Sequence, residues 1–339
     1  MGADLARYQT FTISITPFTA DGAIDETAFR RHLRKLSDAG VGVYVGGGGS
    51  GEGYTLSDDE TERLLAIASD EVKGRSPIRA MGVEPRTARQ MIAFLDKAKR
   101  AGVDAAQVYS LDVGHGHVPT PAELDRYFDE VLSNSDIPSV LSTHQSVGYV
   151  IPAPVIIALF ERHSHLIGLN ISHQDPNYLR TLTDALGDRI DICVGGPHNA
   201  PLAFALGAHG FLTSEGNLAP RLCASVIAAA RSGDNVAFLE RWGKLMRLFL
   251  ALYGNGGIRV TKAVLEHLGL AGGYPRPPRL RSPKRCSVLL RWSRRSAWRR
   301  SRAGKKRAPC RSGGPAFSID LRFGFHSAAM ASRSGGSGS

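Results

Sequence analysis

Imidazole is the side chain best suited to moving protons near neutral pH or holding a transition metal. Five of the eleven histidines in this chain follow short apolar runs. His115 and His117 come after Ala105–Tyr109, His144 after Ser139–Ser142, His173 after Ile167–Ile171 and His198 after Ile190–Val194. Three readings fit them. Two or three, with His115 and His117 as the first pair, could converge on one divalent metal such as zinc or manganese, which would polarise a carbonyl or stabilise an enolate. His144 or His198 could act as a general base without metal, or contact a polar substrate. They could also be incidental, because the spacing is no diagnostic ligand motif. A second candidate is Gly48-Gly49-Ser50-Gly51-Glu52. Its backbone N–H groups could form an anion-binding nest, with the Ser50 hydroxyl beside it; the alternative is only a tight turn. Asn170 ends the apolar run in SHLIGLNIS, and its amide can hydrogen-bond but cannot form an imine. Glu215 and Asn217, after the last run, could also touch a ligand.

Positioning these residues requires a scaffold that gathers the ends of many strands. Strands are predicted at Thr10–Thr16, Gly42–Gly46, Ile78–Gly82, Ala105–Tyr109, Ser139–Ser142, Ile167–Ile171, Ile190–Val194 and Gly210–Thr213. They are short and nearly continuously apolar, as a parallel sheet covered by helices demands. Amphipathic helices are predicted between them near 26–39, 57–73, 86–101, 121–134, 152–163, 175–186, 198–207 and 218–232. Asp25 and the Ser57…Glu60 capping box mark two starts, Thr120-Pro121 a third, and Gly40, Gly102 and Gly187 mark stops. Eight such units in about 230 residues fit a (β/α)8 TIM barrel better than an open doubly wound sheet, the other arrangement the pattern allows. Chemistry then sits at the C-terminal ends of the strands, where every candidate above falls. His209 would lie at the opposite end and be structural. Two more helices, near 234–253 and 258–269, give a C-terminal helical extension. The expected division is therefore 1–232 barrel, 233–280 extension and 281–339 tail.

The charge is unevenly spread. The net +11 arises because residues 281–339 hold 15 Lys and Arg against one acid, Asp320, while the rest holds 27 against 30. The body is mildly acidic, and nothing in it points to nucleic acid. The tail, with Trp292 and Trp298, could neutralise phosphates and stack bases, or be drawn to a membrane surface. Its abrupt change of character fits better a disordered or out-of-frame appendix. No run approaches the roughly 18 apolar residues of a membrane span. Four cysteines without metal-ligand spacing, and a start without a secretory pattern, fit a cytoplasmic protein.

Thr16-Pro17-Phe18 with Asp21-Gly22 and Ile24-Asp25, the Gly48–Glu52 loop with Leu56 and Glu60, Gly102-Val103-Asp104-Ala105, Ile167-Gly168-Leu169-Asn170, Gly207-Ala208-His209-Gly210 with Asn217 and Pro220, and Arg276-Pro277-Pro278 occur in this order. Together they resemble the dihydrodipicolinate synthase / N-acetylneuraminate lyase family over about residues 8–280. The resemblance implies a TIM-barrel lyase or synthase acting on pyruvate or a related 2-keto acid, and a homo-oligomer, dimer or tetramer. It implies a carboxylate held at Gly49 and Ser50, with Glu52 and Asn217 nearby. It also implies a Schiff-base lysine and a proton-shuttling tyrosine. Asn170 stands at the lysine position and Ser142 at the tyrosine position, and a second tyrosine is missing from Ser110–Val113. The expectation is therefore a divergent family member that uses His144, His198, or a metal at His115 and His117, around Ser142 and Asn170. The alternatives are a non-catalytic keto-acid or sugar-acid binding barrel, serving as a sensor or hetero-oligomer partner, and a metal-dependent lyase or hydrolase.

Overall fold

A computed structural model describes residues 5–254 and 256–282. Eight parallel strands close into a barrel in the order β1-β2-β3-β4-β5-β6-β7-β8. They are β1 Gln9–Ile13, β2 Gly42–Val45, β3 Ile78–Ala80, β4 Ala105–Val108, β5 Ser139–Thr143, β6 Leu166–Ile171, β7 Asp191–Gly195 and β8 Gly210–Thr213. Closure is direct: β1 pairs β8 through Thr12 and Thr213, and β2 through Phe11 and Gly42. Strands such as β2 (GVYV) and β8 (GFLT) are buried at every position, as a sheet covered on one side and packed on itself on the other requires.

The outer helices are α1 Glu26–Ser37, α2 Asp58–Val72, α3 Ala88–Ala101, α4 Pro121–Ser133, α5 Ala153–Arg162, α6 Pro176–Leu186, α7 Ala200–Ala205 and α8 Pro220–Arg231. Each follows its strand, so the expected (β/α)8 barrel is observed. The starts are chemically explicit. Asp25 accepts the Ala28 N–H at 2.9 Å, Ser57 and Glu60 form a reciprocal capping box, and Thr120 with Glu123 forms another beside Pro121. Gly40 and Gly102 take the left-handed conformation expected of helix stops, whereas Gly187 stays right-handed at φ −58°. Its need for glycine is a close approach: a β-carbon there would meet the Thr183 carbonyl at 2.5 Å.

Most strand ends differ from the expected ones by one or two residues, as at β3, which stops at Ala80 instead of Gly82, and two larger shifts have a visible cause. β1 stops at Ile13: the Ser14 N–H still bonds the Tyr44 carbonyl of β2, but the Ile15 N–H turns away to the Asn217 side chain. The seventh helix starts at Ala200, because Pro197–Asn199 forms a single 3-10 turn first.

Beyond the barrel, α9 Asn235–Tyr253 and α10 Ile258–His267 form the extension. They build a second apolar cluster in which Leu248, Leu252, Val260, Val264 and Leu265 close over Ile15 and Leu218. That places α10 beside the loops after β1, β2 and β8. No helix among the described residues is long and apolar enough to cross a membrane. The tail from 283 onward, where the nucleic-acid and out-of-frame readings fall, lies outside the described residues, as do Cys286 and Cys310.

Candidate active site

The barrel interior below the mouth is polar where close packing would favour aliphatic side chains. Tyr44 of β2, Gln107 of β4 and Asn170 of β6 meet there, drawn from alternate strands as barrel layers are. The Asn170 Nδ2 donates to the Tyr44 hydroxyl at 2.9 Å and to the Gln107 Oε1 at 2.8 Å. Arg79 of β3 donates to the same hydroxyl at 3.3 Å, and its guanidinium lies 4.0 Å from the centre of the Phe11 ring. All four side chains are buried. The Asn170 Oδ1 is buried without a partner, which is costly unless something else binds there. Ser142 is the register neighbour of Asn170, so β5 and β6 do bring these two predicted residues together. None of the eight strands carries a lysine.

His144 immediately follows β5 and is half exposed. Its Nδ1 lies 2.7 Å from Glu84 Oε1, after β3, and 2.7 Å from the Ser146 hydroxyl, which also bonds Glu84. A carboxylate on Nδ1 fixes the tautomer that leaves Nε2 as the basic atom. Burial pushes the Glu84 carboxyl up, but the hydrogen bonds from His144, Ser146 and its own backbone outweigh this and hold it below the ordinary carboxylate range. The carboxylate therefore stays ionised beside the imidazole at neutral pH. The Tyr109 ring packs edge-on against His144 at 6.3 Å.

The Gly-rich loop is wound tightly. Glu52 adopts the left-handed conformation at φ 54°, which a side chain visits only when its surroundings insist. Its carboxylate is fully buried against Lys262 of α10, whose ammonium also donates to the Thr16 and Tyr274 carbonyls at 2.7 and 2.8 Å. The second Glu52 oxygen accepts the Arg276 N–H at 3.2 Å. Burial draws the Lys262 ammonium down to about 8, with Glu52 opposing. A β-carbon at Gly53 would sit 2.0 Å from the Gly46 carbonyl, so only glycine lets the loop fold back on itself. Gly49 is open to solvent, while the Ser50 hydroxyl is buried and donates to the Ser214 hydroxyl at 2.7 Å.

The remaining predicted residues are placed differently. Asn217 is fully buried: its Nδ2 donates to the Ile13 and Ser214 carbonyls, and its Oδ1 accepts the Ile15 N–H and contacts His32. Glu52 and Asn217 therefore brace the mouth from beneath. Glu215 is buried with one oxygen on the Thr213 hydroxyl and the other unpartnered. His198 keeps its Nδ1 buried without a partner, and burial lowers its pKa. His173 accepts the Asp175 N–H at 3.3 Å. His115, at φ 50°, and His117 lie on an exposed turn. Among the described residues, no group of three or more His, Cys, Asp or Glu could hold a metal, so the structure gives the expected divalent site no ligand set. His209 receives the Ile192 N–H at the opposite end of the barrel.

Sequence reasoning missed Glu84 and Arg79. Both had signals: an acid two residues beyond a predicted strand, and an arginine inside an otherwise apolar one.

Comparison with known proteins agrees with this architecture. Residues 7–285 match the model of the Dihydrodipicolinate synthetase family. The chain belongs to that family. Curated relatives include the 4-hydroxy-tetrahydrodipicolinate synthase of Methanopyrus kandleri, 29% identical over 82% of this chain and 92% of its own. The enzyme of the same name from Methylobacterium radiotolerans is 30% identical over 77% of this chain and 85% of its own. Among solved structures, the dihydrodipicolinate synthase of Aquifex aeolicus superposes with TM-score 0.77 at 23% identity, covering 85% of this chain and 97% of that one. CdNal from Clostridium difficile, solved in complex with mannosamine, gives 0.77 at 23% identity, covering 85% and 98%. At that identity the structural likeness speaks for the fold alone. The relatives are synthases, so membership in this family of lyases and synthases is the coarse functional statement.

Proposed function

We propose that this family member enolises a small 2-keto acid without a lysine Schiff base, as a step toward forming or cleaving a carbon–carbon bond. The observation that carries the reading is the Glu84–His144 pair at 2.7 Å on the mouth of a barrel whose sixth strand carries Asn170 one residue before its end. The keto acid's carboxylate is taken by the backbone N–H groups of the Gly49–Ser50 loop, beside the Ser50–Ser214 hydroxyl pair. Its carbonyl faces the floor built by Asn170, Tyr44 and Gln107. His144 Nε2 removes a proton from the carbon beside the carbonyl, and Glu84 stabilises the imidazolium that forms. Negative charge developing on the carbonyl oxygen is stabilised by the Tyr44 hydroxyl, whose oxygen accepts from Asn170 and Arg79 and whose own proton is left to donate, and by the buried Arg79 cation beside it. Arg79 thus supplies part of the positive charge that an iminium would otherwise provide. His198, kept neutral by burial, serves as a substrate contact.

Enolisation leaves a simple signature. Pyruvate in deuterium oxide is expected to exchange its methyl protons in the presence of the protein, followed by proton NMR. A methyl signal that decays no faster than in buffer would favour the binding-only barrel.

The same reading includes a homo-oligomer. Along α9, Val236, Leu239 and Leu250 are 80%, 53% and 65% exposed. With Gly243 and Met246 they form one apolar stripe spaced by three and four residues, the pattern of a helix face that packs on another helix. Sedimentation velocity is expected to show an assembly larger than a monomer, reduced in size by the paired change Leu239→Glu and Leu250→Glu. An unchanged sedimentation coefficient would remove α9 from the interface.

A further inference from the structure

A cavity of 440 Å³ has the Gly49–Ser50 loop as part of its own lining and extends from it to Ser214 after β8 and to the start of α10. One wall carries hydroxyls in sequence: Ser50 donates to Ser214 at 2.7 Å, and Tyr253 also hydrogen-bonds at Ser214. Arg259 and Thr261 of α10 and, further along the chain, Arg279 also line it. Among the described residues, no carboxylate lines the space. Among the described residues neither arginine is in an ion pair, although seventeen other basic side chains, among them Arg7, Lys97 and Arg276, do find acids. Arg279 is held in place by the Tyr54 ring, whose centre is 4.9 Å from the guanidinium. Glu215, the acid next to Ser214 in sequence, is turned to the Thr213 hydroxyl. The first turn of α10 borders the cavity with Gly257 as its N-cap and no side chain capping it. Two arginines without an ion pair among the described residues, lining one cavity with a row of hydroxyls, form a receptor for an oxyanion.

We infer that this cavity binds an anionic group, a carboxylate or a phosphoryl group, carried by the substrate in addition to the carboxylate on the Gly49–Ser50 loop. The site therefore selects a keto acid with a second acidic group over pyruvate itself. This deepens the proposed function and rests on it only for which molecule delivers the anion; the anion site stands on its own geometry.

The experiment titrates the full chain with inorganic phosphate, pyruvate and 2-oxoglutarate by calorimetry, and compares it with Arg259→Gln/Arg279→Gln and with His144→Gln. One saturable phosphate site is expected, weakened at least tenfold by the double arginine change and unaffected by His144→Gln. Both arginines are exposed, so the variant is expected to fold, and Ser214→Ala gives a second, milder lesion in the same wall. A preference for 2-oxoglutarate over pyruvate that vanishes in the arginine variant assigns the second group as a carboxylate. Phosphate binding with no such preference assigns it as a phosphoryl group. Phosphate and 2-oxoglutarate that both fail to saturate, or that bind wild type and arginine variant equally, overturn the inference. Because His144→Gln spares the anion site but not enolisation, failure of the proposed reaction and failure of this site are distinguishable.

Discussion

His144→Gln is expected to slow methyl-proton exchange of pyruvate by about 10²–10⁴-fold, the range that a positioned general base contributes. Glutamine keeps the size and a hydrogen bond to Glu84 but has no titratable nitrogen. Melting should barely change, because the imidazole is half exposed and its ring contact is the edge of Tyr109. Glu84→Gln removes the charge that stabilises the imidazolium while leaving its shape. Its loss is expected to be about tenfold or more in the same assay. Exchange measured by NMR alongside calorimetric melting separates the two roles: a rate loss at constant stability supports the dyad, and a His144→Gln protein that exchanges at the wild-type rate removes it.

The second large effect concerns stability. Lys262→Met should destabilise the fold by about 3–5 kcal/mol, the cost of leaving a buried partner charge unpaired. Glu52 and Lys262 are both wholly shielded from water, and the ammonium also satisfies two backbone carbonyls from different segments. At about 2–4 °C per kcal/mol for a domain of this order, melting should fall by roughly 6–20 °C. Glu52→Gln combined with Lys262→Met should recover part of the loss, since no lone charge then remains. A Lys262→Met melting temperature within a degree or two of wild type would show that the pair does not hold the loop. Carboxylate binding should weaken along with stability, because the left-handed Glu52 is what winds Gly49 and Ser50 into place.

How much of this was legible in the sequence follows from what each feature depends on. The strands were visible because double burial demands runs such as GVYV, and helix starts because a cap is a local exchange of hydrogen bonds between near neighbours. Asn170, Ser142 and His144 could be placed by counting strands. What sequence could not give was lateral proximity. Glu84 meets His144 across 60 positions, and Lys262 meets Glu52 across 210. Asn217 and Glu52 looked available because they follow strands. Only the folded chain shows that their polar atoms are consumed by Ile13, Ile15 and His32 in one case and by Lys262 in the other. The His115/His117 pair suggested a metal because sequence spacing shows who is adjacent, not who converges.

The central claim is carbonyl chemistry with an amide, rather than an amine, near the end of β6. It is tested most directly by adding borohydride to the protein in pyruvate and measuring its intact mass. The account predicts an unmodified mass from a sample whose pyruvate is exchanging methyl protons. A mass increase equal to reduced pyruvate, mapped to a lysine, would contradict it and return the chain to Schiff-base chemistry.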